Sequence, residues 1–133
     1  EEYKSYLRKY IAEARRLGLH VLLVTPPTVQ GDVGKTIEQL ESEAQGQRHL
    51  CSYVLEMKKV AQELDVPLVD LYTKTIQSFP DEGVTSGNGN GIFYEADGTH
   101  FSQKGAEVLC GYLKELLNDS EMAQKTDLGK YFK

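Results

Sequence analysis

Between Gly18 and Pro26 the chain reads Leu-His-Val-Leu-Leu-Val-Thr, an apolar run without alternating polar positions. A strand with one wet face alternates, so this run predicts a strand covered on both faces, the environment of a parallel sheet. Pro26 and Pro27 end it, since proline cannot donate to a strand ladder. A second short run, Val-Pro-Leu-Val-Asp-Leu, occupies Val66 to Leu71. Between the two, from about Arg48 to Leu64, Leu50, Tyr53, Val54, Met57, Val60, Ala61 and Leu64 share one helical face. Strand, helix and strand with short joins make a βαβ unit with parallel strands and a right-handed crossover. The expected fold class is α/β, a parallel sheet flanked by helices.

The rest of the chain fits around that unit. Tyr3, Leu7, Tyr10, Ile11, Ala14 and Leu17 recur at the spacing of an amphipathic helix, which Gly18 stops. The segment from Thr28 to Gln47 is polar and carries Gly31, Gly34 and Gly46, so it reads as a surface excursion with a short helix around Lys35 to Glu43. Leu71 to Phe79 continues as a helix. From Pro80 to Asn90 the chain turns polar and rich in glycine, and its Asn-Gly pairs favour tight turns, so a mobile loop is expected. A last helix begins with Ser102 as its N-cap and is carried by Ala106, Leu109, Cys110, Leu113 and Leu116. Residues 118–133 form a polar tail whose Leu128, Tyr131 and Phe132 are expected to pack back on the body.

Composition excludes several partners. With 133 residues, 40% of them hydrophobic, the chain is long enough for one core, and a domain of this size buries roughly two thirds of its unfolded surface. Fifteen basic and twenty acidic residues give a net charge of -5 and no basic stripe, which argues against nucleic acid. No apolar run approaches the about twenty residues of a membrane span, so no membrane partner is expected. The opening Glu-Glu-Tyr-Lys lacks a basic segment followed by an apolar one, as in a mature or truncated product or a cytoplasmic protein. Cys51 and Cys110 fall at apolar positions of predicted helices, where buried free thiols are expected. No His-x-x-x-His or Cys-x-x-Cys pattern supplies a metal site.

One constellation carries chemistry. Asp97-Gly98-Thr99-His100 lies just ahead of the last helix. An imidazole titrates in the range suited to proton transfer, and a carboxylate on its other ring nitrogen fixes the tautomer and stabilises the imidazolium. Gly98 and Thr99 are small enough to let the backbone bend and bring carboxylate and ring together. Taken alone the pattern is common, and a turn-forming Asp97 beside a surface His100 is then the favoured explanation. His20, at a strand start, reads as a ring packed at the sheet edge, and His49, in the first turn of a helix, as solvated surface.

The surroundings of the motif are more specific. The string F-Y-E-A-D-G-T-H-F-S-Q-K-G-A-E-V from Phe93 to Val108 resembles the last block of the SGNH (GDSL) hydrolase family. Upstream, Leu22 to Pro27, Arg48-His49 with Tyr53, Val60-Ala61 and Val66 to Leu71 are similar to its rhamnogalacturonan acetylesterase branch. The resemblance spans nearly the whole chain and implies a flavodoxin-like, three-layer α/β/α hydrolase acting on acetylated polysaccharide or small esters, secreted or periplasmic, without a cofactor. It assigns Asp97 and His100 to the Asp and His of a Ser-His-Asp triad.

The family's Gly-Asp-Ser block and Gly-x-Asn-Asp block do not occur in residues 1–133. Among Ser5, Ser42, Ser52, Ser78, Ser86, Ser102 and Ser120, none follows Gly-Asp. The chain is therefore expected to be the C-terminal portion of such a domain, inactive alone. Its sheet edge would pair with the N-terminal remainder or with a second copy; failing that, the isolated chain would be marginally stable. The alternative is a non-catalytic carbohydrate-binding or interaction module on the same scaffold. Thr25 and Pro26, at the carboxyl end of a strand, either border substrate or only end the strand. Asn90, in the glycine-rich loop, either frames the cleft or belongs to a connector.

Overall fold

The computed structural model of the chain describes residues 1–44 and 49–126. The anticipated cluster of Leu128, Tyr131 and Phe132, and the residues Gly46 and Arg48, lie outside them. Helix α1 spans Glu2–Arg16 and ends where Gly18 takes a positive φ of 73°. Strand β1, Leu23–Val24, pairs in parallel with β2, Leu68–Val69, in the register Leu23 with Leu68. Helices α2, Ile37–Ala44, and α3, Leu50–Glu63, lie between the strands. Helix α4, Leu71–Ser78, follows β2 directly, and α5, Gln103–Leu117, and α6, Ser120–Lys125, come last. The α/β class with parallel strands is as expected. No described helix is long and apolar enough to cross a membrane.

The strands are shorter than the apolar runs that encode them. Leu19 and His20 are exposed, and Val24 keeps 40% of its surface. Within the described residues β1 therefore lacks the cover on both faces that its composition anticipates, and His20 does not pack at the sheet edge. Two ladder bonds, Leu23 N–H to the Pro67 carbonyl at 2.9 Å and Thr25 N–H to the Val69 carbonyl at 3.0 Å, hold the pair together.

Three apolar clusters stabilise the chain. Ile11 of α1 packs on Val60, Ala61 and Val66, and an edge-on Tyr3–Tyr53 ring contact extends the α1–α3 seam. Leu40, Cys51, Val54, Tyr72 and Ile76 join α2, α3 and α4. Phe79 centres the third cluster, with the rings of Phe93, Tyr112 and Phe101 at 5.5, 6.0 and 6.2 Å. That aromatic cluster is the floor beneath the Asp97–His100 turn.

The 28–44 segment departs from expectation. It is woven into the core and is not a surface excursion: Thr28, Asp32, Val33, Leu40 and Ala44 are buried. Its polar composition is tolerated because the polar groups are paired. The Thr28 N–H donates to Thr75 Oγ1 at 2.9 Å, and Tyr72 donates its hydroxyl to Asp32 Oδ2 at 3.2 Å.

Helix α5 keeps part of its anticipated face, Leu109 and Leu116, and loses part of it. The positions that pack inward include Gly105, Val108, Leu109, Tyr112 and Leu116, whereas Ala106 and Cys110 are exposed. Gly105 allows the close approach of α5 to the Ile92 backbone, because a Cβ there would stand 2.3 Å from the Ile92 carbonyl oxygen. Of the two thiols expected to be buried, only Cys51 is.

Candidate active site

The Asp97–His100 turn is closed at three levels. An antiparallel bridge pairs Phe93 with Phe101 at its base. Above it Tyr94 N–H donates to the His100 carbonyl at 3.0 Å, and Gly98 N–H donates to the Tyr94 carbonyl at 3.0 Å. Gly98 sits at φ +62°, where a side chain would be strained. Below, Ser102 N–H donates to the Ile92 carbonyl at 2.9 Å, so the turn runs straight into the N-terminus of α5.

Within the turn the Asp97 carboxylate does two jobs. Its Oδ1 accepts the backbone N–H groups of Thr99, at 2.8 Å, and His100, at 2.9 Å. Its Oδ2 lies 2.6 Å from His100 Nδ1. A carboxylate only accepts, so Nδ1 carries the proton and the Nε2 lone pair is left outward. The His100 side chain is 75% exposed and that of Asp97 41%. The pair thus presents a correctly polarised base to whatever lies beside it.

The same hydrogen bonds hold the Asp97 carboxyl at about 2, below its ordinary 3.8; the His100 N–H contributes most, then the Thr99 N–H, then the imidazole. A depressed carboxyl contributes stability above its unfolded value and loses it as pH falls. For Asp97 that loss runs downward from the ordinary carboxylate range through about pH 2. A carboxyl-carbon NMR titration is expected to place its midpoint near 2; a midpoint at the ordinary value would mean that the two backbone bonds are not formed in solution.

The remaining site candidates separate clearly. Thr25 is 1% exposed, and its hydroxyl is fully engaged, accepting from Tyr72 N–H at 2.8 Å and donating to Asp70 Oδ1 at 3.3 Å. Pro26 is half-buried behind it. Asn90 is exposed at φ +44°, its side-chain amide donating to the Glu82 carbonyl. Its own carbonyl accepts from Lys104 at 3.1 Å. The 85–91 loop is more closely tied than its composition anticipates, by this contact and by a bridge between Thr85 and Asn88. Ser102 caps α5, accepting from Gly105 N–H at 3.1 Å and donating to the Gly91 carbonyl, so its hydroxyl is committed.

His49 is not a solvated surface residue. Its Nδ1 accepts the Cys51 N–H at 3.2 Å, capping α3, and its Nε2 lies 3.5 Å from Asp32 Oδ1. Asp32 is only 5% exposed. Sequence reasoning missed this pair because it depends on the 28–44 segment folding inward. Asp70, by contrast, carried a readable signal as an N-cap before a helix, and it accepts the Thr73 N–H at 3.1 Å. Among the described residues no group of three or more His, Cys, Asp or Glu is gathered to hold a metal ion.

An exposed imidazole with its Nδ1 held on a carboxylate is chemically able to accept and return a proton at its other nitrogen. The chain belongs to the GDSL-like lipase/acylhydrolase family, whose model matches residues 1–112. It is similar to the probable rhamnogalacturonan acetylesterase YesY of Bacillus subtilis strain 168, with 34% identity over 110 residues, 80% of this chain and 46% of that protein. The chain thus spans about half the length of the curated relative it matches.

Proposed function

We propose that this chain contributes the acid-base half of an SGNH-type carboxylester hydrolase that removes O-acetyl groups from a polysaccharide. The observation that carries the reading is the Asp97–His100 pair, with Nδ1 held on the carboxylate and the ring 75% exposed. The family match and the name of the relative support ester hydrolysis, and the relative's name supports an acetylated pectic substrate.

In this reading the nucleophilic serine comes from outside these 133 residues. His100 Nε2 takes the serine hydroxyl proton as the oxygen attacks the acetyl carbonyl. The tetrahedral intermediate collapses, and the imidazolium returns the proton to the departing sugar oxygen. Water, activated by the same nitrogen, then cleaves the acetyl-serine and releases acetate. Asp97 orients the ring and stabilises its positive charge in both halves. The donors to the oxyanion likewise come from outside, and the edge of β1 that is unpaired among the described residues offers further strands a place to pair.

Turnover of p-nitrophenyl acetate tests this. The 133-residue chain alone is expected to show none above buffer. A protein that also contains the Gly-Asp-Ser and Gly-x-Asn-Asp blocks is expected to be active and to lose that activity on His100→Ala. Full activity of the short chain, or of the His100→Ala variant of the longer protein, would overturn the reading.

A further inference from the structure

We propose that Gln30 is the positioning residue of the Asp97–His100 pair, holding the turn through Gly98 and tying it to the 85–91 loop. The proposal rests on the hydrolase reading for its catalytic meaning, and on geometry for its substance. The His100 side chain is 75% exposed and that of Asp97 41%, so packing alone does not hold the ring, and its orientation depends on the backbone of the turn. Outside the turn's own bonds, that backbone is gripped by Gln30. The Gln30 N–H donates to the Gly98 carbonyl at 2.9 Å. Its side-chain amide donates to the Ser86 carbonyl at 3.3 Å.

Two glycines make room for this side chain. A Cβ on Gly98 would stand 3.3 Å from both Cβ and Oε1 of Gln30, and a Cβ on Gly89 would stand 2.9 Å from Oε1. The glutamine is thus wedged between the loop that carries the Asp-His pair and the glycine-rich loop ahead of it. Its own base is firm. Gln30 opens the 3-10 turn Gln30–Asp32, whose Asp32 is held by Tyr72 and whose next residue, Val33, lies in the aromatic cluster. The rigidity of the core therefore reaches the exposed Asp97–His100 turn through one polar side chain and one amide.

The test is made on the 15N-labelled chain, comparing the native sequence with Gln30→Ala. In the native chain the His100 imidazole is expected to show a protonated Nδ1 and an unprotonated Nε2. In the variant that tautomer signature is expected to give way to a mixture. The variant keeps the backbone bond to Gly98 and loses the side-chain bond to Ser86 and the filled gap between the two loops, so the Thr99 and His100 amides are expected to exchange about tenfold faster as the turn loosens. Amides of Ile11 and Val54, remote from the turn, should exchange as before, which separates positioning from general loosening. Should the alanine variant fail to fold, Gln30→Met, which fills the same gap without the donor to Ser86, gives the same readouts. Unchanged His100 spectra and amides, or changes that merely track Ile11 and Val54, would overturn the proposal. A native chain without the Nδ1 tautomer would count against the hydrolase reading, while the amide comparison would still decide the role of Gln30.

Discussion

Replacing Asp97 with asparagine is expected to slow acetyl-ester hydrolysis by about 10⁴-fold in the protein that carries the nucleophile, with little change in fold. The geometry explains why the loss is chemical. An asparagine oxygen can take the place of Oδ1 and keep accepting the Thr99 and His100 N–H groups, which hold the turn at 2.8 and 2.9 Å. The amide nitrogen then stands where Oδ2 stood, 2.6 Å from Nδ1. It donates where the carboxylate accepted, so the ring must present its Nδ1 lone pair and move its proton to Nε2. The nitrogen facing the serine then has no lone pair with which to take a proton. Steady-state kinetics with a circular dichroism control decides this. Activity within tenfold of the native protein would show that Asp97 does not set the tautomer.

Gly105→Ala is expected to destabilise the chain by about 3 kcal/mol, at the upper end of the range for forced overpacking. The expected sign is contrary to helix propensity, which favours alanine over glycine by about 1 kcal/mol inside a helix. The difference lies in what the new methyl meets. It would stand 2.3 Å from the Ile92 carbonyl oxygen and 3.2 Å from Phe101 Cβ, and a backbone carbonyl cannot rotate away as a side chain can. That carbonyl also accepts the Ser102 N–H, so moving α5 away releases the cap region and tilts the Asp97–His100 turn. A thermal melt should fall by roughly 10 °C for a domain of this size. An unchanged or raised melting temperature would mean that α5 sits farther from Ile92 than described.

Much of the scaffold was legible because its signals are local. The apolar stripe from Tyr3 to Leu17 and the glycine after it define α1, and Ser102 marks the start of α5 through its own hydroxyl. The βαβ order followed from two apolar runs and the helical stripe between them, and β1 and β2 pair in parallel. Strand length was not legible, because a ladder extends only as far as a neighbour reaches, and that neighbour is another part of the chain or of the domain. The 28–44 segment was misread for a related reason. Its polar residues look exposed until Thr75 and Tyr72, 47 and 40 residues away, are seen to satisfy Thr28 and Asp32.

The candidate site divides along the same line. Asp97 and His100 are three residues apart, and their geometry is written in a single turn. Gln30 carried no signal, since nothing in its neighbourhood announces Gly89 and Gly98, far downstream in the sequence. Cys110 was misplaced because an apolar residue on an amphipathic helix is assigned to the buried face by period alone. Here Gly105 admits the Ile92 backbone close to α5, and Cys110 is left exposed.

The closeness of Asp97 and His100 along the chain has a consequence for how the chemistry is assembled. Closing a loop of so few residues costs little chain entropy, and the cost grows with the logarithm of the separation. The contact between Thr25 and Tyr72, by comparison, spans 47 residues. Contacts of low sequence separation form early, and those of high separation set the folding rate. The hydrogen bonds within the Asp97–His100 turn therefore form early, whereas the Gln30–Gly98 bond and the β1–β2 pairing, which join segments far apart in sequence and fix where the turn sits, come late.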